Sequence, residues 1–207
     1  MPIARLVWQQ LFRRSPFDFR RATGVAPTTN PVTLALAART YERAGEVDKC
    51  RRAVERLLAM RCDSAQYGEG MWGYPFPWQA KAFYIPRGTP NIIATAYAIR
   101  ALDQCAPLLS LDVDPIIADT ARFVATELVR KAVGKNRRYL AYATGSDAMV
   151  HNASLWGAYV LALAAQRGGP KEWGELAEAA IEYSLRAQSP DGAWVYGWKR
   201  CTFAASC

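Results

Sequence analysis

Ile92-Ile93-Ala94-Thr95-Ala96-Tyr97-Ala98-Ile99 carries no charge and no polar stripe, and two further stretches of the 207-residue chain read the same way. Leu34-Ala35-Leu36-Ala37-Ala38 opens one. Ala153-Ser154-Leu155-Trp156-Gly157-Ala158-Tyr159-Val160-Leu161-Ala162-Leu163 is the other. A helix without a polar face must be surrounded by protein. Between and after these runs lie stripes of the ordinary amphipathic kind. Val47, Cys50, Val54, Leu57 and Leu58 mark the first; Ile117, Ala121, Val124 and Leu128 mark the second. Trp173, Leu176, Ala177, Ala180, Ile181 and Ser184 mark the third, with Ser184 its one polar member. Charges fill the opposite faces, as surface helices require. An amphipathic stretch from Ile3 to Phe12 precedes them all. The order is buried, surface, three times over, which predicts an all-α chain of helical hairpins.

Helix starts are signalled by Asn30-Pro31, Thr89-Pro90, Asp114-Pro115 and Gly169-Pro170. Each pairs a capping residue with a proline expected at the first helical position. A repeat is visible as well. Gln66-Tyr67-Gly68-Glu69-Gly70-Met71-Trp72 and Gln188-Ser189-Pro190-Asp191-Gly192-Ala193-Trp194 share the form QxxxGxW, and each continues to a tyrosine, Tyr74 or Tyr196. The copies lie about 122 residues apart, and Asn30, Asn91 and Asn152 fall at half that spacing. In such a loop glycine permits a tight turn, tryptophan packs between hairpins, and glutamine can bond free helix-end groups. The middle loop, near Arg138-Tyr139-Leu140-Ala141-Tyr142, lacks the motif.

QxxxGxW is a repeat signature of terpenoid cyclases, and from residue 28 to 197 the chain resembles the terpenoid-cyclase and protein-prenyltransferase class of α/α toroids. The stretch Trp72-Gly73-Tyr74-Pro75-Phe76-Pro77-Trp78-Gln79 through Gly88-Thr89-Pro90-Asn91 is similar to bacterial toroid proteins that accompany polysaccharide-biosynthesis genes. The resemblance implies a ring of hairpins whose inner ends line a pocket. Six hairpins close that ring in the family and about three are countable here, so a partial ring is expected. The implied division is an N-terminal helix and linker at 1–27, toroid hairpins at 28–197, and an irregular tail at 198–207 that reads as truncated or frame-changed. The family's two chemistries do not carry over. The acidic DxDD motif of cyclases has its nearest counterpart in Asp112-Val113-Asp114-Pro115, where proline replaces the third acid. The zinc ligands of prenyltransferases find only Asp103, Cys105 and His151, in the wrong context. No metal and no cofactor is expected. Gly68-Glu69-Gly70-Met71-Trp72-Gly73 matches GxGxxG, but a dinucleotide site needs a strand before it and a helix after it.

Composition narrows the partners. With 51% hydrophobic and 21% charged residues the chain is globular in type, not disordered. Its net charge of +8 comes from scattered basic pairs such as Arg13-Arg14 and Arg137-Arg138. These read as a solvated basic surface with a secondary attraction to acidic polymers or membrane surfaces. No nucleic-acid motif accompanies them, and no nucleic-acid partner is expected. The longest uncharged stretch, Asn152 to Gln166, is too short to span a bilayer. Five cysteines without a CxxC pattern point to free thiols, and the absence of an apolar leader predicts a cytoplasmic protein.

Two regions carry candidate chemistry. Trp72, Tyr74, Trp78, Gln79, Lys81, Arg87 and Asn91 combine aromatic faces with hydrogen-bonding and cationic groups. Such a set suits sugar rings bearing carboxylates, because the ring stacks and the cation pairs the acid. The approach to the third buried helix adds Asn152 as a binding residue and Tyr142, Asp147 and His151 as candidates for proton transfer. The leading expectation is a carbohydrate-related toroid protein, an enzyme or binding factor for acidic glycans in polysaccharide biosynthesis. The alternatives are an isoprenoid-handling toroid and a non-catalytic fragment that oligomerises through exposed hairpin edges.

Overall fold

The computed structural model describes residues 2–20, 22–24, 26–79, 84–132 and 137–198; Lys81 and residues 199–207 of the expected tail lie outside them. The chain is mostly helical. In order it forms α1 (Pro2–Arg14), α2 (Pro31–Arg43), α3 (Val47–Leu58), the single turn α4 (Ser64–Tyr67), α5 (Ile92–Leu109), α6 (Asp114–Phe123), α7 (His151–Gln166) and α8 (Lys171–Leu185). Among the described residues there are three antiparallel two-stranded pairs: β1 (Trp78–Gln79) with β2 (Tyr84–Ile85), β3 (Val129–Lys131) with β4 (Arg138–Leu140), and β5 (Met149–Val150), before α7, with β6 (Gly197–Trp198), after α8.

The charge-poor helices pack side by side, α2 on α5 and α5 on α7. The amphipathic helices lie against them: α3 on α2 and α5, α6 on α7, α8 on α7. The stripes are buried in most positions, but Val47 of α3 and Ile181 of α8 are exposed at the stripe edges. Cys50, Val54 and Leu57 of α3 are buried, as are Ile117 and Ala121 of α6 and Ala177, Ala180 and Ser184 of α8. Each fully buried Leu or Ile side chain stabilises the fold by about 1.5–3 kcal/mol. The inner helices depart from the expectation in one respect. They are not enclosed all round, because each keeps one stripe open. On α5 this stripe is Ile93, Tyr97, Arg100 and Gln104. Leu36 on α2 and Leu155 on α7 are likewise exposed.

Capping follows local chemistry more than the proline signal. Asn30 Oδ1 accepts the Val32 N–H, with Pro31 in the first turn as expected. Thr89-Pro90 does not open α5; the cap is Asn91, whose Oδ1 accepts the Ala94 N–H at 2.9 Å. Proline lacks the N–H that its neighbours use, and a side-chain amide one residue later closes the helix end. Asp114 is the first residue of α6, its N–H bonded to Asp112 Oδ1. α8 begins after Pro170. Asn152, third in the asparagine series, sits exposed inside the first turn of α7 and does not cap it.

The two QxxxGxW loops share one bond. Trp72 Nε1 donates to the Leu57 carbonyl at 2.7 Å, and Trp194 Nε1 donates to the Ser184 carbonyl at 2.7 Å. Both acceptors lie in the last turn of the preceding amphipathic helix, among the carbonyls that a helix end leaves free. The glutamines act differently from the expectation. Gln188 Nε2 donates within its own loop to the Gly192 carbonyl, and Gln66 is exposed on α4. The motif glycines also differ. Gly192 has φ +83°, a turn conformation that other residues resist, whereas a Cβ on Gly70 would lie 2.0 Å from Thr120 Oγ1. That close approach lets the Thr120 hydroxyl donate to the Gly70 carbonyl at 2.8 Å and ties the loop to α6. In the middle repeat a π-helical turn, Val124–Leu128, and the β3–β4 hairpin stand where the motif is missing.

The start of α5 and the segment leading to α7 share one rim. The Asn91 N–H donates to the Trp72 carbonyl at 3.0 Å and the Ile92 N–H to the Tyr142 carbonyl at 2.9 Å. Gly73 bridges Pro90, Asn91 bridges Ala143, and β5 before α7 pairs with β6. At the opposite end Arg167 bonds both Asp103 of α5 and Asp114 of α6. Cys50 and Cys105 are buried free thiols, and burial first, then the neighbouring Cys50 thiol, pushes Cys105 up to about 12.

Trp72 is wholly buried while Trp194 is 42% exposed. Trp72→Ala is expected to cost about 3–5 kcal/mol of unfolding free energy, the range for large aromatic truncations in a core. Trp194→Ala should cost clearly less. Urea denaturation of the two variants beside the parent checks this, and equal losses would contradict the inequality of the two loops.

Candidate functional site

The rim carries the expected aromatic loop. Tyr74 stacks on Phe76 with ring centroids 5.3 Å apart and planes 3° from parallel, and Trp78 stands 6.2 Å from Tyr74. The Tyr74 hydroxyl lies 3.4 Å from that of Tyr142. Burial first, then the Tyr74 hydroxyl, drives the Tyr142 pKa far up. A phenol held that firmly protonated serves as a hydrogen-bond donor more readily than as a proton source. Trp78 and Gln79 form β1, Trp78 exposed and Gln79 half-buried, and Arg87 is exposed in the turn after β2. Trp72 is in the core beneath them, its ring shut away from solvent. Asn91 is fully buried, and its Nδ2 has no hydrogen-bond partner among the described residues.

The three residues expected to move protons sit in separate surroundings. Tyr142 faces Tyr74. The Asp147 carboxylate is exposed and pairs with Arg130 Nε at 3.1 Å. His151 is buried, with Nδ1 3.2 Å from Ser184 Oγ of α8. The residues considered for zinc are likewise dispersed: Asp103 bonds Arg167, Cys105 is buried beside Cys50, and His151 begins α7 at the other rim.

A second cluster was not singled out by sequence reasoning. It occupies the open stripes of α5 and α7, beside the aromatic loop. Tyr97 and Trp156 have centroids 5.0 Å apart, and Trp156 meets Tyr159 edge-on at 5.7 Å. The Arg100 guanidinium lies 5.8 Å over the Trp156 ring, a cation–π arrangement. Arg39 of α2 donates to Gln104 Oε1 at 2.7 Å. Burial, then the positive charges of Arg100 and Arg43, lowers the Arg39 pKa. The Tyr159 pKa is raised by burial first and then by the Asp103 charge, against the pull of Arg100, Arg39 and Arg167. The signal in the sequence was Arg100, a charge in the middle of a charge-poor run, with Tyr97 three residues before it. Trp156 and Tyr159 repeat that spacing, which puts each pair on one helix face.

The His151 imidazole is lowered from its ordinary 6.5 by burial. The unfolded chain therefore binds this proton more tightly than the folded one. The stability involved is intact above pH 6.5 and erodes as pH falls below it, by no more than about 1.4 kcal/mol per pH unit. Urea denaturation over that window should show this component of the slope absent in His151→Gln; an identical slope in parent and variant would contradict it.

No protein-family model matches the chain, and no match emerges among curated proteins or solved structures.

Proposed function

We propose that the chain is a carbohydrate-related α/α-toroid protein that binds acidic glycans, as part of polysaccharide biosynthesis. The observation that supports this most is the open face of α5 and α7, where Tyr97, Trp156 and Tyr159 lie beside the arginines Arg39 and Arg100. Aromatic faces offer stacking surface to sugar rings, and guanidinium groups recognise carboxylates with two parallel hydrogen bonds. The exposed aromatics of the rim loop, Trp78 above all, extend that surface. The side-by-side packing of α2, α5 and α7, backed by α3, α6 and α8, supports the toroid part of this reading.

A second reading has its own observation. Leu36, Leu108 and Leu155, one on each of the same three helices, are exposed apolar side chains that a polyprenyl chain could use, with its diphosphate on the arginines.

Calorimetric titration with uronic-acid oligosaccharides decides the matter. Binding is expected, weakened about tenfold by Arg100→Ala and by Trp156→Ala, each of which removes a contact of about 1–2 kcal/mol. No heat from any charged glycan, with the folded full chain, overturns the proposal. Turnover or tight binding of a polyprenyl diphosphate in the same titration favours the isoprenoid reading.

A further inference from the structure

α1 is amphipathic like α3, yet its described apolar side chains from Val7 to Phe12 are not part of the core. Trp8 is 53%, Leu11 58% and Phe17 70% exposed, whereas Val54 and Leu57 of α3 are buried. α1 packs on the small strand β1. Together with the turn that follows, it frames an open groove of about 800 Å³ whose lining runs from Val7 to Thr23 and includes Trp8, Leu11, Phe12 and Phe19. The Trp8 and Phe12 rings meet edge-on at 5.1 Å, so the aromatic side is a continuous surface.

Among the described side chains of this segment, Arg13, Arg14 and Arg20 stand against the single acid Asp18. Arg13 and Arg14 close the last turn of α1, with no acid in its first turn. Both are exposed, and Arg14 borders the groove. Asp18 is engaged by Arg20 at 3.0 Å, which leaves Arg13 and Arg14 as the charge beside the aromatic side.

We propose that α1 and the following turn bind an anionic membrane surface, lying in its plane with Trp8, Leu11 and Phe17 in the headgroup–acyl boundary and the arginines on lipid phosphates. A helix with an apolar aromatic side and basic flanks is suited to that position. Tryptophan adds a ring that is apolar in body and polar at its N–H, which favours the water–lipid boundary. Charge complementarity selects this occupant over a second copy of the chain. Two copies meeting groove to groove would set arginines against arginines on molecules that each carry +8 overall, whereas anionic lipid supplies the opposite charge at high density. The attachment is peripheral, because among the described residues no helix is long and apolar enough to cross a membrane. None of these residues belongs to the α5–α7 face, although α1 packs on β1, which carries Trp78.

Flotation of the full chain with phosphatidylcholine vesicles, with and without phosphatidylglycerol, tests it. The protein should float with the phosphatidylglycerol vesicles about tenfold more strongly than with phosphatidylcholine alone, and added salt should release it. Leu11→Asp should abolish flotation, and Arg13→Glu combined with Arg14→Glu should remove the preference for anionic lipid. Both changes fall on exposed side chains, so an unchanged melting temperature will show that the fold persists. Absence of flotation overturns the proposal, as does Leu11→Asp floating like the parent. So does a concentration-dependent dimer, seen by analytical ultracentrifugation, that Leu11→Asp dissolves while vesicles capture nothing.

Discussion

The structure depends on enclosing α5. Its residues from Ile92 to Leu102 include one charged side chain, Arg100, and its buried faces carry Ile92, Ile99 and Leu102 with alanines between them. Alanine lets neighbouring backbones approach, so α2, α3 and α7 can pack directly on this helix. Both ends of α5 are then held by polar bonds that an apolar helix cannot supply itself. Asn91 caps the start, where the Trp72 and Tyr142 carbonyls receive the Asn91 and Ile92 N–H groups. Near the other end Asp103 shares Arg167 with Asp114. The rim loops are thus positioned by the helix that they cover, and a chain that lost the enclosure of α5 would lose the geometry of the rim with it.

Periodicity made the helices and their alternation legible, because burial of a stripe or a face is written in every third or fourth residue. What it could not resolve was the degree of enclosure. A run such as Ile92 to Ile99 reads as buried on all sides, yet Tyr97 belongs to a stripe that the fold leaves open. Tyrosine and tryptophan are ambiguous in this respect, since they serve equally in a core and on a binding face. Cap positions failed for a different reason. Thr89-Pro90 is a sound local signal, but Asn91 competes for the same helix end and wins through its amide. The π-helical turn and the β3–β4 hairpin left no signal beyond the missing glycine and tryptophan, because tertiary contacts and not local propensity specify them.

The QxxxGxW loops show why a matched motif does not confer a matched environment. Both indoles bond a helix-end carbonyl, so that part of the motif is local chemistry and repeats. Burial does not repeat, because it depends on what lies above the loop. Rim segments 88–91 cover Trp72, while Trp194 is open to solvent. The same distinction separates the candidate site residues. Tyr74, Trp78 and Arg87 are on the rim by virtue of their loop, which sequence order conveys. His151 and Asp147 are only four residues apart, but one turns to Ser184 in the core and the other to Arg130 at the surface. Spacing within a loop places backbones and leaves the direction of side chains undetermined.

The arginines of the inner face gain their meaning by contrast with Arg167. Arg167 has two carboxylates, Asp103 and Asp114, and its pKa is accordingly raised, chiefly through its bond to Asp114. Arg39 has the neutral amide of Gln104, and Arg100 the π-face of Trp156. Repulsion between like charges opposes folding, and burial of Arg39 adds a desolvation cost. Gln104 in turn donates through Nε2 to the Glu42 carboxylate, so the amide links Arg39 to an acid without a direct ion pair. Arg39 and Arg100 lie near three aromatic rings that meet at a tilt and edge-on, where an arriving anion would pair with the cations. The favourable energy of such a site would appear on binding and not on folding, which is the physical reason for proposing an acidic ligand.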